Sequence, residues 1–301
     1  MKASYAASTL MVPTLADTKR RVMIRQITIA VISLVFLSSC ASMSRTAAAE
    51  APCNGSLIDI DGNKIWVHRQ GTGSPTVVFE SGFGNDSSVW TSLEKQVREK
   101  GFQTFVYDRA GLGRSTINPS SIYSIDNDAQ ILTAALERCS INGPIVMVGH
   151  SYGGAISLVL AEKSQKVKGL VLLDAVVPGA WGQGEIEKNL ATMRSQYDEI
   201  RKQAPELAKV AIPFAEATPK IVQRVNNLTL PASLPIIDIV AENGQNSPES
   251  TATWREAHKG FVGSNPSRTY ILATGSSHKV MNDKEQIVLD SIVTIIGHAN
   301  R

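Results

Sequence analysis

The 301-residue sequence is poor in cysteine, with only Cys40, Cys53 and Cys139. Three cysteines cannot build a disulfide scaffold, so a hydrophobic core must carry the fold. No cysteines and histidines stand at zinc-site spacing, and no GxxxxGK[ST] segment occurs. Zinc modules and phosphate-loop nucleotide binding are therefore excluded. The sequence also lacks internal repeats and long low-complexity tracts. Charged residues make up 19% and hydrophobic residues 43%, a globular and not a disordered balance. The length suits one large α/β domain or two small ones.

A surplus of charge of one sign is missing too, once its position is considered. The chain carries a formal net charge of +3 and a pI near 8.7. Residues 1–39 hold Lys2, Lys19, Arg20, Arg21 and Arg25 against Asp17 alone, a net of +4. The remainder is therefore close to neutral, at −1, and nothing argues for nucleic-acid binding by the folded part.

The apolar run Ile27–Leu37 is too short for a comfortable membrane span. Behind the basic patch Lys19–Arg25 it reads as a secretory signal, with Met23 as an alternative start. The run ends in Leu37-Ser38-Ser39-Cys40, which resembles the bacterial lipoprotein signal. That resemblance implies lipidation at Cys40, anchoring to a membrane and a periplasmic or cell-surface location. Cleavage after Ala49 and an uncleaved anchor are the alternatives. All three export the domain, and an oxidising compartment permits a disulfide between Cys53 and Cys139. Two free thiols are the other reading.

Along the mature chain, Leu57–Ile60 and Ile65–His68 flank Asp61-Gly62-Asn63 as a β-hairpin. Apolar strands follow at Thr76–Glu80, Phe102–Tyr107, Ile145–Val148 and Val167–Leu173. Helices are expected over Ser88–Arg98, Ile125–Arg138 and Ala155–Glu162. Apolar strands alternating with helices indicate a mostly parallel sheet covered on both faces. From Pro178 to Leu234 helical stretches occur without a strand. Strands resume at Pro235–Ala241 and Arg268–Ala273, with a Trp254 helix between them and a last helix around Glu285–Ile296. The organisation is thus a signal peptide over 1–39, a tether over 40–55, an α/β core over 56–177 and 235–301, and a helical lid over 178–234. An insertion there would overhang the C-terminal edge of the sheet, where ligands bind in open α/β folds.

Gly149-His150-Ser151-Tyr152-Gly153 follows an apolar strand and precedes a small-residue helix, the context a nucleophile elbow requires. Serine needs a base to remove its proton. Of five histidines, His278 follows the Arg268–Ala273 strand in the loop Thr274–His278, at the sheet edge that carries Ser151. His150 should point away from the nucleophile, His68 lies in the early hairpin, and His258 and His298 read as solvated helix residues. Two acids compete to orient His278. Asp174 ends a buried strand, where an unpaired carboxylate would be costly; Glu242 stands after the later strand. Acyl chemistry also needs oxyanion donors. Motif position selects the backbone N–H groups of Tyr152 and Phe83.

Five segments in order resemble the α/β-hydrolase superfamily in its esterase, lipase and aminopeptidase-like branch. They are Glu80-Ser81-Gly82-Phe83-Gly84 with Trp90, Tyr107 through Ser115, Gly149 through Gly154, Leu170 through Asp174, and Gly275-Ser276-Ser277-His278. The resemblance implies the α/β-hydrolase fold, a lid after the strand ending at Asp174, a serine acyl-enzyme, and no metal or organic cofactor. Some relatives carry the acid at the Asp174 position. The usual His-Gly before the oxyanion loop is Ser81-Gly82 here, and the later site offers no aspartate. An exported ester hydrolase acting on a small acyl substrate is the leading expectation. An aminopeptidase or amidase, and a ligand-binding protein without turnover, are the alternatives. Trp181, Met193, Tyr197, Leu207, Ile212 and Phe214 either line an apolar pocket or pack the lid itself.

Overall fold

A computed structural model describes residues 53–299. The expected signal peptide, Cys40 and nearly all of the expected tether lie outside the described residues. The first hairpin joins β1 (Asn54–Ile60) to β2 (Asn63–Gln70). Asp61 and Gly62 take φ values of 51° and 79°, the positive pair that a tight two-residue turn demands. The remaining strands are β3 (Thr76–Glu80), β4 (Gln103–Tyr107), β5 (Ile145–His150), β6 (Val167–Leu173), β7 (Ile236–Asn243) and β8 (Arg268–Ser277). They form one sheet in the order β1-β2-β4-β3-β5-β6-β7-β8. β1 and β2 are antiparallel at one edge, and β4 onward runs parallel.

Both faces of the central strands are buried, so the strands are apolar along their length and not alternating. The pleat sends neighbouring residues to opposite cores. Val78, Met147, Leu170, Leu172 and Val240 pack with α2 (Ile125–Arg138), α3 (Tyr152–Lys163) and α7 (Pro248–Gly263). Val77, Phe79, Val146, Val148, Val171 and Leu173 pack with α1 (Thr91–Glu99), α8 (Val280–Asp283) and α9 (Glu285–Ala299). Between β6 and β7 the chain forms α4 (Gln183–Arg194), α5 (Tyr197–Gln203) and the 22-residue α6 (Pro205–Asn226).

Two local expectations need adjustment, and one pair of alternatives is decided. The helix expected over Ser88–Arg98 is split, because a 3-10 turn over Ser87–Trp90, capped by Asp86, precedes α1. β8 runs on to Ser277, past a register shift opposite Ala241 and Asn243, so His278 stands directly at a strand end. Finally, Cys53 and Cys139 are joined in a disulfide, Cα to Cα 5.5 Å. It ties the residue before β1 to the C-cap of α2.

Candidate active site

Ser151 occupies the junction of β5 and α3 with φ 53° and ψ −123°. A non-glycine residue holds such a conformation only when its surroundings over-determine it. Here the Ser151 N–H donates to the Leu173 carbonyl at 3.1 Å, and the Ser151 carbonyl accepts from Gly154 and Val176. The flanking glycines have no room for a side chain. A Cβ on Gly149 would stand 2.6 Å from Ser157 Oγ, and one on Gly153 would stand 2.5 Å from the Ser81 carbonyl. The turn thus lifts Ser151 to the C-terminal edge of the sheet while α3 lies directly behind it.

Asp174 and His278 meet at that edge. His278 Nδ1 lies 2.6 Å from Asp174 Oδ2. Asp174 is fully buried and has φ 42°; its second oxygen accepts from the Ala241 N–H at 3.1 Å and the Trp254 indole N–H at 2.9 Å. Burial pushes the Asp174 carboxyl up, but the His278 hydrogen bond and charge, with the Ala241 N–H, hold it below the usual carboxylate range. The bond at Nδ1 leaves His278 Nε2 free. Among the described residues neither Nε2 nor Ser151 Oγ has a hydrogen-bond partner, as is common for nucleophile and base in a substrate-free site.

The alternative acid is not brought to His278. Glu242 Oε2 accepts from the Gly275 N–H at 2.7 Å, and its carbonyl accepts from Arg255. The register shift between β7 and β8 turns this residue onto the neighbouring strand. Two further histidine expectations are corrected. His258 is buried, not solvated, and its Nδ1 lies 2.7 Å from Asp238 Oδ2. His150 does not point away from the site. Its ring lies 4.6 Å from that of His278, and its Nε2–H donates to the His278 carbonyl at 2.8 Å. Burial, with His278 beside it, pushes His150 down to about 3, so it stays neutral and anchors the His278 main chain. His68 faces Asn54, and His298 is exposed near the end of α9.

The two backbone groups chosen as oxyanion donors sit on a shared frame. Tyr152 is the first residue of α3, whose leading N–H groups have no acceptor within the helix. Phe83 follows Ser81 and Gly82, whose carbonyls both accept from the Arg109 guanidinium. With those carbonyls held by Arg109, the orientation of the loop after β3 is fixed. Arg109 pairs with Glu80 at 2.6 Å, and Tyr107 also donates to Glu80; all three are buried. Beside this pair, Tyr152 Oη donates to buried Asp128 at 2.7 Å. Burial pushes Glu80 up to about 7 against the opposing pull of Arg109, and pushes Asp128 up as well. Sequence reasoning found Glu80 and Arg109 only as parts of motifs. The signal that could have found their pairing was a carboxylate ending the buried strand β3 and an arginine two residues beyond the end of its parallel neighbour β4.

The six apolar residues of the insertion divide between the two roles weighed for them. Met193, Tyr197 and Ile212 pack with Leu190 and Ala215 in a small cluster of their own. Phe214 instead reaches the site: it stacks on Phe83 at 3.9 Å and meets Tyr152 edge-on at 4.9 Å. Trp181 packs at the main core, 6.3 Å from Trp254. Leu207 is half-buried on α6.

Several known proteins are similar to this chain. The uncharacterized protein YqjL of Bacillus subtilis is 26% identical over 73% of this chain and 83% of its own. Two further relatives, YbdG of B. subtilis and C23C11.06c of Schizosaccharomyces pombe, are matched over only 38% and 27% of their lengths. Lipase 1 of Psychrobacter immobilis is 27% identical over 66% of this chain and 65% of its own. A solved structure of AqDC, in complex with the product of its ring cleavage of the Pseudomonas quinolone signal, superposes with a TM-score of 0.63. It is 16% identical and covers 80% of this chain and 99% of its own. The model of the alpha/beta hydrolase fold family matches residues 75–283, and the chain belongs to that family.

Proposed function

We propose that this protein is an exported serine hydrolase that cleaves an ester or related acyl bond through Ser151, His278 and Asp174. The observation that carries the reading is the 2.6 Å contact of His278 Nδ1 with buried Asp174, at the sheet edge where the strained Ser151 turn lies. As Ser151 Oγ attacks the acyl carbon, His278 Nε2 takes its proton. The Asp174 carboxylate stabilises the imidazolium and keeps Nε2 turned toward the serine. The oxygen of the tetrahedral intermediate takes hydrogen bonds from the N–H groups of Phe83 and Tyr152. His278 then protonates the leaving alcohol, an acyl-enzyme remains, and water activated by the same imidazole releases the acid. The similarity to Lipase 1 of P. immobilis supports the ester class.

Export rests on the leader and the disulfide. The basic, apolar and Leu-Ser-Ser-Cys40 sequence is read as a lipoprotein signal, and a Cys53–Cys139 bond persists best in an oxidising compartment. Metabolic labelling with a fatty acid should mark the wild-type chain and not Cys40→Ala; equal labelling of both would end the lipoprotein reading. For the activity, a panel of acyl esters and aminoacyl amides should show ester turnover that Ser151→Ala lowers by at least about a thousandfold. Amide turnover without ester turnover would overturn the ester class. Turnover of neither would overturn the enzymatic reading.

A further inference from the structure

A second carboxylate–imidazole pair lies behind Asp174, and the proposed mechanism does not use it. Asp238 sits in the middle of β7 with its side chain toward α7, 2.7 Å from His258 Nδ1. Both residues are completely buried. An unpaired carboxylate there would be costly, so the contact pins α7 to the sheet at this point. Trp254 stands one helical turn before His258, with the two rings 5.1 Å apart, and its indole N–H donates to Asp174 Oδ1 at 2.9 Å. On the other side, Gly244 approaches Asp174 Oδ2 so closely that a Cβ would overlap it.

We propose that Trp254, braced by the His258–Asp238 pair, is a positioning residue that sets how strongly Asp174 accepts from His278. This rests on the reading of Asp174 and His278 as the orienting acid and the base. The physical argument concerns one carboxylate with two oxygens. Among the described residues Oδ2 serves only His278, whereas Oδ1 takes Ala241 N–H and Trp254 N–H. Each donor at Oδ1 draws charge away from Oδ2 and weakens its hold on the imidazole proton. An indole N–H is a donor that does not titrate, so its effect is constant with pH. Removing it should make Asp174 a stronger acceptor, and His278 should then keep its second proton to higher pH. The other ionisable groups around this cluster are His150 from β5, Asp238 and Glu242 from β7, Arg255, His258 and Lys259 from α7, and Arg268 and Tyr270 from β8. A change at Trp254 replaces none of them.

The test uses Trp254→Phe, which keeps an aromatic ring and deletes the donor. Should that variant not fold, 3-benzothienylalanine at the same position deletes the N–H and keeps the ring volume. Two readouts are taken. The first is the downfield proton resonance of the His278 Nδ1–H, identified by its loss in His278→Gln, which needs no turnover. The second is the pH profile of the rate at which a fluorophosphonate labels Ser151. The expected results are a resonance moved further downfield, and an acidic limb moved up by roughly half to one pH unit. His258→Gln should move both in the same direction by less. Resonance and limb unchanged in Trp254→Phe overturn the proposal, since a merely structural residue would lower rate or stability without moving either. Movement in Trp254→Phe alone overturns the bracing role of His258 and Asp238. Absence of labelling in the wild type overturns the hydrolase reading instead, and the resonance still decides this one.

Discussion

Two buried clusters flank Ser151, and each solves the cost of buried charge differently. Under the loop after β3, Glu80 is paired with Arg109, and Tyr107 adds a donor. At the other side, Asp174 and Asp238 are paired with His278 and His258. Arginine keeps its charge at every working pH and presents a planar fork. It suits a frame that must hold the Ser81 and Gly82 carbonyls still. Imidazole gains and loses a proton near neutrality, so it suits the side where a proton has to move. The same physical problem, a carboxylate cut off from water, is therefore met by a permanent cation in one place and by imidazoles in the other, of which His278 is the one placed to carry a proton. A shared fold alone does not choose a chemistry.

That contrast can be broken from either side. The largest effect should come from Asp174→Asn, which leaves His278 without its carboxylate: turnover should fall about ten-thousandfold, measured as kcat on an activated ester. Next, Arg109→Met strands Glu80 in the core, and chemical denaturation should show a loss of about 3–5 kcal/mol. Phe214→Ala, which removes the ring stacked on Phe83, should cost about 3 kcal/mol and speed entry of bulky acyl groups; a matched Tyr197→Ala should leave acyl preference alone. Glu80→Gln tests the frame through pH. Because burial raises Glu80 to about 7, the folded chain retains a proton that the unfolded chain releases above the ordinary value of 4.5. Its stabilising contribution is full below that value and is lost as pH rises through 7, on the order of 3 kcal/mol. Melting curves between pH 4 and 8 should slope less steeply in Glu80→Gln. The smallest effect is expected for Glu242→Gln, which disturbs only a bond to Gly275; its turnover should stay within about threefold of wild type.

Much of the frame was legible because local pattern and tertiary environment agree along it. Thr76–Glu80 and Val167–Leu173 are apolar along nearly their whole length and are buried strands with those bounds. The glycines around Ser151 mark a turn whose sterics are local. Asp174, Glu242 and His278 were legible as candidates because each stands near a strand end. Asp174 is preferred over Glu242 because a carboxylate at a buried strand end needs a partner, but the register shift between β7 and β8 beside Glu242 was not legible. The buried pair behind the site was missed for a related reason. Asp238 interrupts the run Ile236–Ala241, and a carboxylate in a buried strand demands a partner, but nothing in the sequence says which one. His258, 20 residues on, looks like an ordinary polar helix position until α7 is packed on the sheet. Trp254 meets Asp174 across a separation of 80 residues, and His150 meets the His278 carbonyl across 128. Contacts at such range are set by topology, not by spacing.

The most direct test of the account is to locate a fluorophosphonate adduct by peptide mass spectrometry in the wild type, Ser151→Ala and His278→Gln. The account predicts one adduct, on Ser151, absent in Ser151→Ala and formed at least about a thousandfold more slowly in His278→Gln. An adduct on another residue, or labelling at Ser151 that proceeds at the wild-type rate without His278, would contradict it.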